Sequence, residues 1–431
     1  MTGRPSERPP SPGEARAWGW LAHLRDGGTT AWSSWSGTAE PGARVLPGAQ
    51  HLELVRRLNL QARTDVGPTA RPDPALVERV LAASPPGRGR PELDLVGVVP
   101  DRGWGLAPVD PTLLPRPELV RLASVLLAED VLAAGGGRDA SPVQPPPRRR
   151  LARRRPSVAG DPWLVDAART QVHAAGHRLG HPDAGVLVLG ADLATMIADT
   201  WTARAFACRG RLTGWEAWVR QLPERDLLPR GADPVGTAHA RTALRAGLAG
   251  RVSDPDTRGV NVVLDPALLP GLLRVRSLDA PPAVPADAVE LARRVSATLA
   301  LRVPQERGRH LMRTVFLGRV AGLPGPPLGV PAELHRWVHR RSQRLRRELA
   351  DSRYPVHGRP GRLVSGPVAL ARRESAEPDE GGVLATALRL LTGTERSATG
   401  PAAGSATAPH SDPHRPLDPH HPHGLQGGTP R

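Results

Sequence analysis

The sequence predicts an α/β C-terminal domain with a small, mainly parallel sheet covered by helices. It also predicts a mainly α-helical N-terminal domain and disordered tails. Three observations carry this. After residue 157, short aliphatic runs alternate with longer segments of helical periodicity, as in strand–helix–strand units. Before residue 135 only helical periodicity recurs. Between the halves, GGGRDASPVQPPPRRRLARRRPS has a linker's composition, because its prolines favour an extended chain and its arginines repel one another. The expected divisions are a tail at 1–13, a helical domain at 14–134, a Pro/Arg-rich linker at 135–157, an α/β domain at 158–372 and a low-complexity tail at 373–431.

Trp18, Leu21 and Ala22 lie at helical spacing in a first helix over 14–25, which stops at Asp26-Gly27-Gly28. A Trp-rich loop follows. Leu52, Leu54, Val55, Leu58 and Leu60 stripe a helix over 48–63. Shorter helices are expected at 74–83, with an early proline, and at 117–134, ended by three glycines. In the second half, strands are expected at 157–160, 186–189 and 260–264. Helices follow at about 162–175, 192–206, 215–222, 286–301, 305–322 and 331–351, and the last helical signal is at 383–391. Open α/β sheets bind ligands at the carboxyl ends of their strands. That rule selects Gly160, Asp161, Gly190, Asp192 and Asp265 as ligand-binding candidates.

Composition excludes several chemistries. The chain has 431 residues and a formal net charge of +16, and all 58 of its Lys+Arg residues are arginine. Without lysine there is no phosphate-loop lysine and no Schiff-base lysine. One cysteine, Cys208, excludes an intrachain disulfide and Cys-based zinc fingers. Glycine (46) and proline (49) make up roughly a fifth of the chain, near the level of low-complexity sequence. With Phe 2 and Tyr 1, the core must be aliphatic apart from 10 tryptophans. No apolar leader and no membrane-length apolar run is visible, so the expected location is cytoplasmic. Arginine-rich, lysine-free usage also fits GC-biased coding.

Three stretches carry a family resemblance. They are Leu187 to Trp201 (LVLGADLATMIADTW), Val260 to Pro266 (VNVVLDP), and Trp337 to Ser365 with Tyr354-Pro355-Val356-His357-Gly358. Together they make residues 158–365 resemble actinobacterial sulfotransferase-like proteins of the P-loop type. The resemblance implies an α/β fold and a 3′-phosphate site on the strand–helix segment. It also implies a donor loop after the first strand, of the form Gly-x-Pro-Lys-Thr-Gly-Thr-Thr. This chain has Gly160-Asp161-Pro162-Trp163 there, and Ala191 at the phosphate-binding arginine position. An acid at a helix N-terminus takes up the positive helix end itself. The resemblance therefore implies a degenerate relative whose donor loop is not preserved.

Other residues could carry chemistry, each with an ordinary structural alternative. His173, His177 and His181 are spaced four apart, with Asp183 after them, and could share a helix face as metal ligands do. Gly176, Gly180 and Pro182 instead favour a helix end. Arg336, Arg340 and Arg344, near His335 and His339, form the basic face of an amphipathic helix that could meet a polyanion or stay solvated. Arg148, Arg149, Arg150, Arg153, Arg154 and Arg155 could bind nucleic acid by counterion release or simply space the domains. Asp192 and Asp265 are the weak catalytic candidates, against roles as a helix cap and a turn. Trp32 and Trp35 could line a pocket or pin a loop. Arginines near Cys208 could lower its pKa. The histidines at 410–423 could bind metal weakly.

The sequence thus predicts an intracellular, noncatalytic sulfotransferase-like scaffold or regulatory partner, needing no cofactor and holding no metal. Its expected partner is a protein or a polyanion, without a membrane and with nucleic acid left open. The alternatives are an Arg-rich polyanion- or nucleic-acid-binding protein and a transferase with a non-standard donor site.

Overall fold

Short aliphatic strands bury both faces only if helices cover them, and the chain supplies helices before, between and after its strands. The computed structural model describes residues 10–42, 45–83, 93–98, 106–136, 155–181, 184–248, 259–366 and 377–393. These belong to one compact unit, Met1–Gly393.

Helix α1 (Pro12–Arg25) starts inside the expected tail, because Ser11 and Glu14 form a reciprocal capping box. Helices α2 (Ala49–Val66), α3 (Pro74–Ala82) and α4 (Arg116–Gly136) follow as expected. Strand β1 (Ser157–Gly160), α5 (Pro162–Ala174), β2 (Val186–Leu189), α6 (Leu193–Ala205), α7 (Trp215–Arg225), α8 (Pro234–Leu248) and β3 (Val260–Val263) build the first part of the sheet layer. Next come α9 (Leu269–Leu273), α10 (Ala286–Leu299), α11 (Gln305–Leu311), a π-helical turn over Met312–Phe316, α12 (Leu317–Val320) and α13 (His335–Asp351). Strand β4 (Val356–His357) and α14 (Glu380–Thr392) close the order.

The sheet is wholly parallel, in the order β1-β2-β3-β4. Val158, Leu187, Leu189 and Val263 point to one face and pack against α5 and α9 in a small core. Ala159, Val186, Val188, Val260 and Val262 point to the other face and join the main core. Helix α8 lies along the strands there. The short β4 escaped the sequence reading because Pro355 and Gly358 bracket only two residues of extended chain. Among the described residues no helix is long and apolar enough to cross a membrane.

Helix α14 is not a remnant within a low-complexity tail. Its Val383, Ala387 and Leu391 are buried, and it packs on α4, α10 and α2. One hydrophobic core runs from Ala17 to Leu391, so the 14–134 and 158–372 segments share it rather than each having its own. Most of the expected linker, including Arg148, Arg149, Arg150, Arg153 and Arg154, lies outside the described residues. Arg155 is described and is buried. Its Nε donates to the Leu273 carbonyl at 3.0 Å, and its Nη2 to that of Arg274 at 3.2 Å. It therefore caps the orphan carbonyls at the end of α9 and is not a solvated linker cation.

The position of α14 gives a clear expectation. Leu391→Ala should cost about 2–5 kcal/mol, the range for truncating a buried leucine. A urea midpoint unchanged from the parent would mean that this helix does not contribute to the core.

Candidate functional site

The strand-end candidates do not converge. Gly160 ends β1 with φ +99°, where a Cβ would strike the Leu189 carbonyl, so only glycine fits. Gly190 is packed instead of open: Leu264 and Pro234 fill the space beside it. Asp192 caps α6, accepting from Thr195 N at 3.1 Å and from Ser365 Oγ at 3.1 Å. Asp265 accepts from Ala267 N at 3.2 Å and pairs with Arg362 at 2.8 Å. The structure thus commits both aspartates to capping and packing roles.

Asp161 is fully buried. Its Oδ1 caps α5, accepting from Trp163 N at 2.9 Å and Leu164 N at 3.2 Å. No ordinary donor reaches its Oδ2, and its neighbour is the Asp199 carboxyl. Burial first, and the Asp199 charge second, push the Asp161 pKa well above the usual carboxylate value. Two ionised carboxylates cannot bond to each other, whereas one shared proton lets them. The positive end of α5 is therefore occupied by the chain's own acid.

The large cavity lies beside this turn. It reaches Gly160 and not Gly190, Asp192 or Asp265, and has a volume of about 1220 Å³. Its walls come from α5, the end of α6, the loop after it, the 228–231 turn, α8, α10 and α11 with its π turn. Among the described residues nine of the lining are arginines: Arg169, Arg204, Arg209, Arg211, Arg230, Arg241, Arg293, Arg309 and Arg313. Among the same residues only Asp166 and Asp233 bring carboxylates, and each makes a bond within the protein. Asp166 pairs with Arg313 at 2.6 Å, and Asp233 accepts from Gly236 N at 2.8 Å at the start of α8.

Several of the arginines are structural. Arg313 lies 4.4 Å over the Trp163 ring, an arrangement set by the π turn that carries it. Burial pulls its pKa down, Asp166 pulls it back, and Arg309 lowers it again. Arg293 bonds Glu290 and the Leu212 carbonyl, Arg309 bonds Glu306, and Arg169 donates to the Val158 carbonyl at 3.0 Å. Among the described residues, Arg204, Arg209, Arg211, Arg230 and Arg241 have neither a carboxylate nor a carbonyl partner. Arg204 opens to solvent while partly shielded by the cavity wall. That shielding, then the neighbouring Arg209 charge, pulls its pKa below the ordinary arginine value. A cleft that holds like charges together without counter-ions focuses a positive field.

The loop that aims Arg209 and Arg211 is strained and anchored. Cys208 has φ +52° and Gly210 φ +82°. The Cys208 thiol is buried, donates to the Ser296 carbonyl at 3.4 Å, and has its pKa raised by burial. The nearby arginines do not activate it, and its side chain occupies the space left by Gly308.

The remaining candidates divide as follows. Helix α5 ends at Ala174, and Gly176 takes φ +75°, so His173 and His177 do not share a continuous helix face. Asp183 and the histidines at 410–423 lie outside the described residues. Among the described residues no group of three His, Cys, Asp or Glu is placed to hold a metal. Trp32 is buried against Trp20, its Nε1 donating to the Val96 carbonyl, and Trp35 stacks on His23 at 4.5 Å. These rings pin the loop. On α13, Arg336 and Arg340 are exposed, and Arg344 pairs with Asp226 at 3.2 Å.

Sequence reasoning missed the cavity because three of its walls gave no signal. Helix α8 contains Gly236, Thr237, Thr242 and Gly247, all poor helix formers, and the 206–214 and 228–233 loops have no motif. Arg204, Arg209 and Arg211 are close in sequence, but only folding brings Arg230 and Arg241 to the same cavity. No family model, curated protein or solved structure matches this chain.

The buried acid pair makes a pH prediction. Raising the folded pKa of Asp161 favours its protonated form. The native state therefore loses stability as pH rises from the unfolded carboxylate value, about 3.9, towards the raised folded value, and does not regain it above. Asp161→Asn keeps a capping oxygen and cannot ionise. It should be more stable than the parent at pH 8, with the difference shrinking towards pH 4. Urea denaturation across that range measures this, and a parent that gains on the variant as pH rises would contradict it.

Proposed function

We propose that this chain is a noncatalytic binding protein that holds a polyanionic ligand in the arginine-lined cavity. The observation that carries the reading is the gathering of Arg204, Arg209, Arg211, Arg230 and Arg241 in one cavity with no carboxylate partner among the described residues. Guanidinium groups match phosphate and sulfate oxygens in bidentate geometry, and such charge-assisted bonds are the stronger kind. A bound anion would also relieve the repulsion between Arg204 and Arg209.

The cap at Asp161 supports a noncatalytic, degenerate relative of the sulfotransferase-like proteins. The helix end that would receive a donor phosphate already holds a carboxylate. The single buried cysteine suits a reducing, cytoplasmic setting. A second reading places polyanion binding on the exposed face of α13, through Arg336, Arg340 and Arg344, with nucleic acid as the partner. A transferase with a non-standard donor site is a third, with its acid or base still to be named, since Asp192 and Asp265 are engaged elsewhere.

Calorimetry with inorganic tripolyphosphate separates the first two. Arg204→Gln/Arg209→Gln should weaken binding about 10-fold or more for each lost charge-assisted contact. Arg336→Gln/Arg340→Gln should leave it unchanged. Loss in the α13 variant, with binding retained in the cavity variant, would transfer the function to the helix.

A further inference from the structure

We propose that the ligand is a linear oligophosphate, a run of phosphoryl groups without bases or sugars, as in inorganic polyphosphate. This rests on the reading of the cavity as the anion site and names its ligand.

The argument starts from what the walls can offer. Small-molecule sites usually span about 300–1,000 Å³. This one is about 1220 Å³, and its unpaired cations sit on several walls instead of at one end. Repeated charge suits that spread better than a single terminal phosphate.

The neutral polar side chains of the lining are bonded within the protein or shut away from the cavity. Thr237 donates to the Arg230 carbonyl at 3.0 Å, and Ser296 to the Ala205 carbonyl at 2.5 Å. The Thr200 hydroxyl is shut away behind Gly231. Asp166 and Asp233 are held by Arg313 and the α8 N-terminus. Among the described residues no Asn, Gln or His lines the cavity. The groups free on that wall are therefore predominantly cationic donors, far in excess of the acceptors beside them. A ligand matched to it is rich in anionic acceptors. An ionised phosphate chain is so along its whole length.

Among the described residues no aromatic ring lines the cavity either. Two rings behind its arginines are covered by guanidinium groups, Trp163 by Arg313 at 4.4 Å and Trp218 by Arg204 at 5.5 Å. Single-stranded nucleic acid gains about 1–3 kcal/mol per base by stacking on exposed rings. This cavity provides the positive groove and withholds the stacking surface. A sulfated glycan brings hydroxyl donors to a wall whose surplus is already of donors.

Competition calorimetry with the full chain tests the ligand class, at fixed salt and matched charge concentration. The probes are pyrophosphate, tripolyphosphate, long-chain polyphosphate, an oligothymidylate and heparin. Affinity should rise from pyrophosphate to the long chain, which should bind at least about 10-fold tighter per charge than the oligothymidylate or heparin. Arg204→Gln/Arg209→Gln/Arg211→Gln should lower polyphosphate affinity about 100-fold or more. Arg230→Gln/Arg241→Gln, on another wall, gives an independent check should the first variant fold poorly. Equal or tighter oligothymidylate or heparin binding, or no gain beyond pyrophosphate, would overturn the oligophosphate while leaving an anion site standing. Parental polyphosphate binding by both cavity variants would remove the site itself.

Discussion

Helix α10 is surrounded on most of its circumference. Ala288, Val289, Leu291, Ala292, Val295 and Leu299 are buried, and the helix packs on α4, α14 and α6. Four strands of four residues or fewer bury too little to hold so long a chain, so this packing joins the helical layer to the sheet layer. The same helix sets the cavity. Its Arg293 holds the Leu212 carbonyl, and its Ser296 carbonyl receives the Cys208 thiol. The loop that presents Arg209 and Arg211 is thereby tied to a deeply buried helix.

The cavity shows how charge is tolerated without lysine. Where arginines have carboxylate or carbonyl partners, as at Arg313, Arg293 and Arg155, they serve as architecture. Five arginines without a carboxylate or carbonyl partner among the described residues lie together on one concave surface and keep a like-charge repulsion that packing does not remove. Folding carries that cost through the apolar burial beneath it, in Trp163, Phe206 and the Trp201–Trp215–Trp218 cluster. The arginine-lined cavity is thus supported from below by aromatic packing.

The candidate site was legible only at one edge. Gly160 and Asp161 were found because glycine and an N-capping acid at a strand end are local signals. Asp192 and Asp265 carried the same signal and are engaged as caps and in bonds to Ser365 and Arg362, since capping chemistry looks the same whether or not a ligand is near. Arg155 read as one of six linker arginines, yet it ends buried on the α9 carbonyls. Composition registers that arginine is present and is silent on what it faces.

By itself, the sequence determined the strands at 157–160 and 186–189 and, one residue too long, the one at 260–264, together with most helix starts, the aliphatic core and the absence of lysine chemistry. These follow from periodicity, capping and residue type, which act over a few positions. Tertiary structure alone decided that α14 belongs to the core, that α8 forms against the sheet, and that arginines spread over dozens of positions share one cavity. Those outcomes depend on packing between distant segments, which overrides weak local propensity and leaves no mark in any short window of sequence.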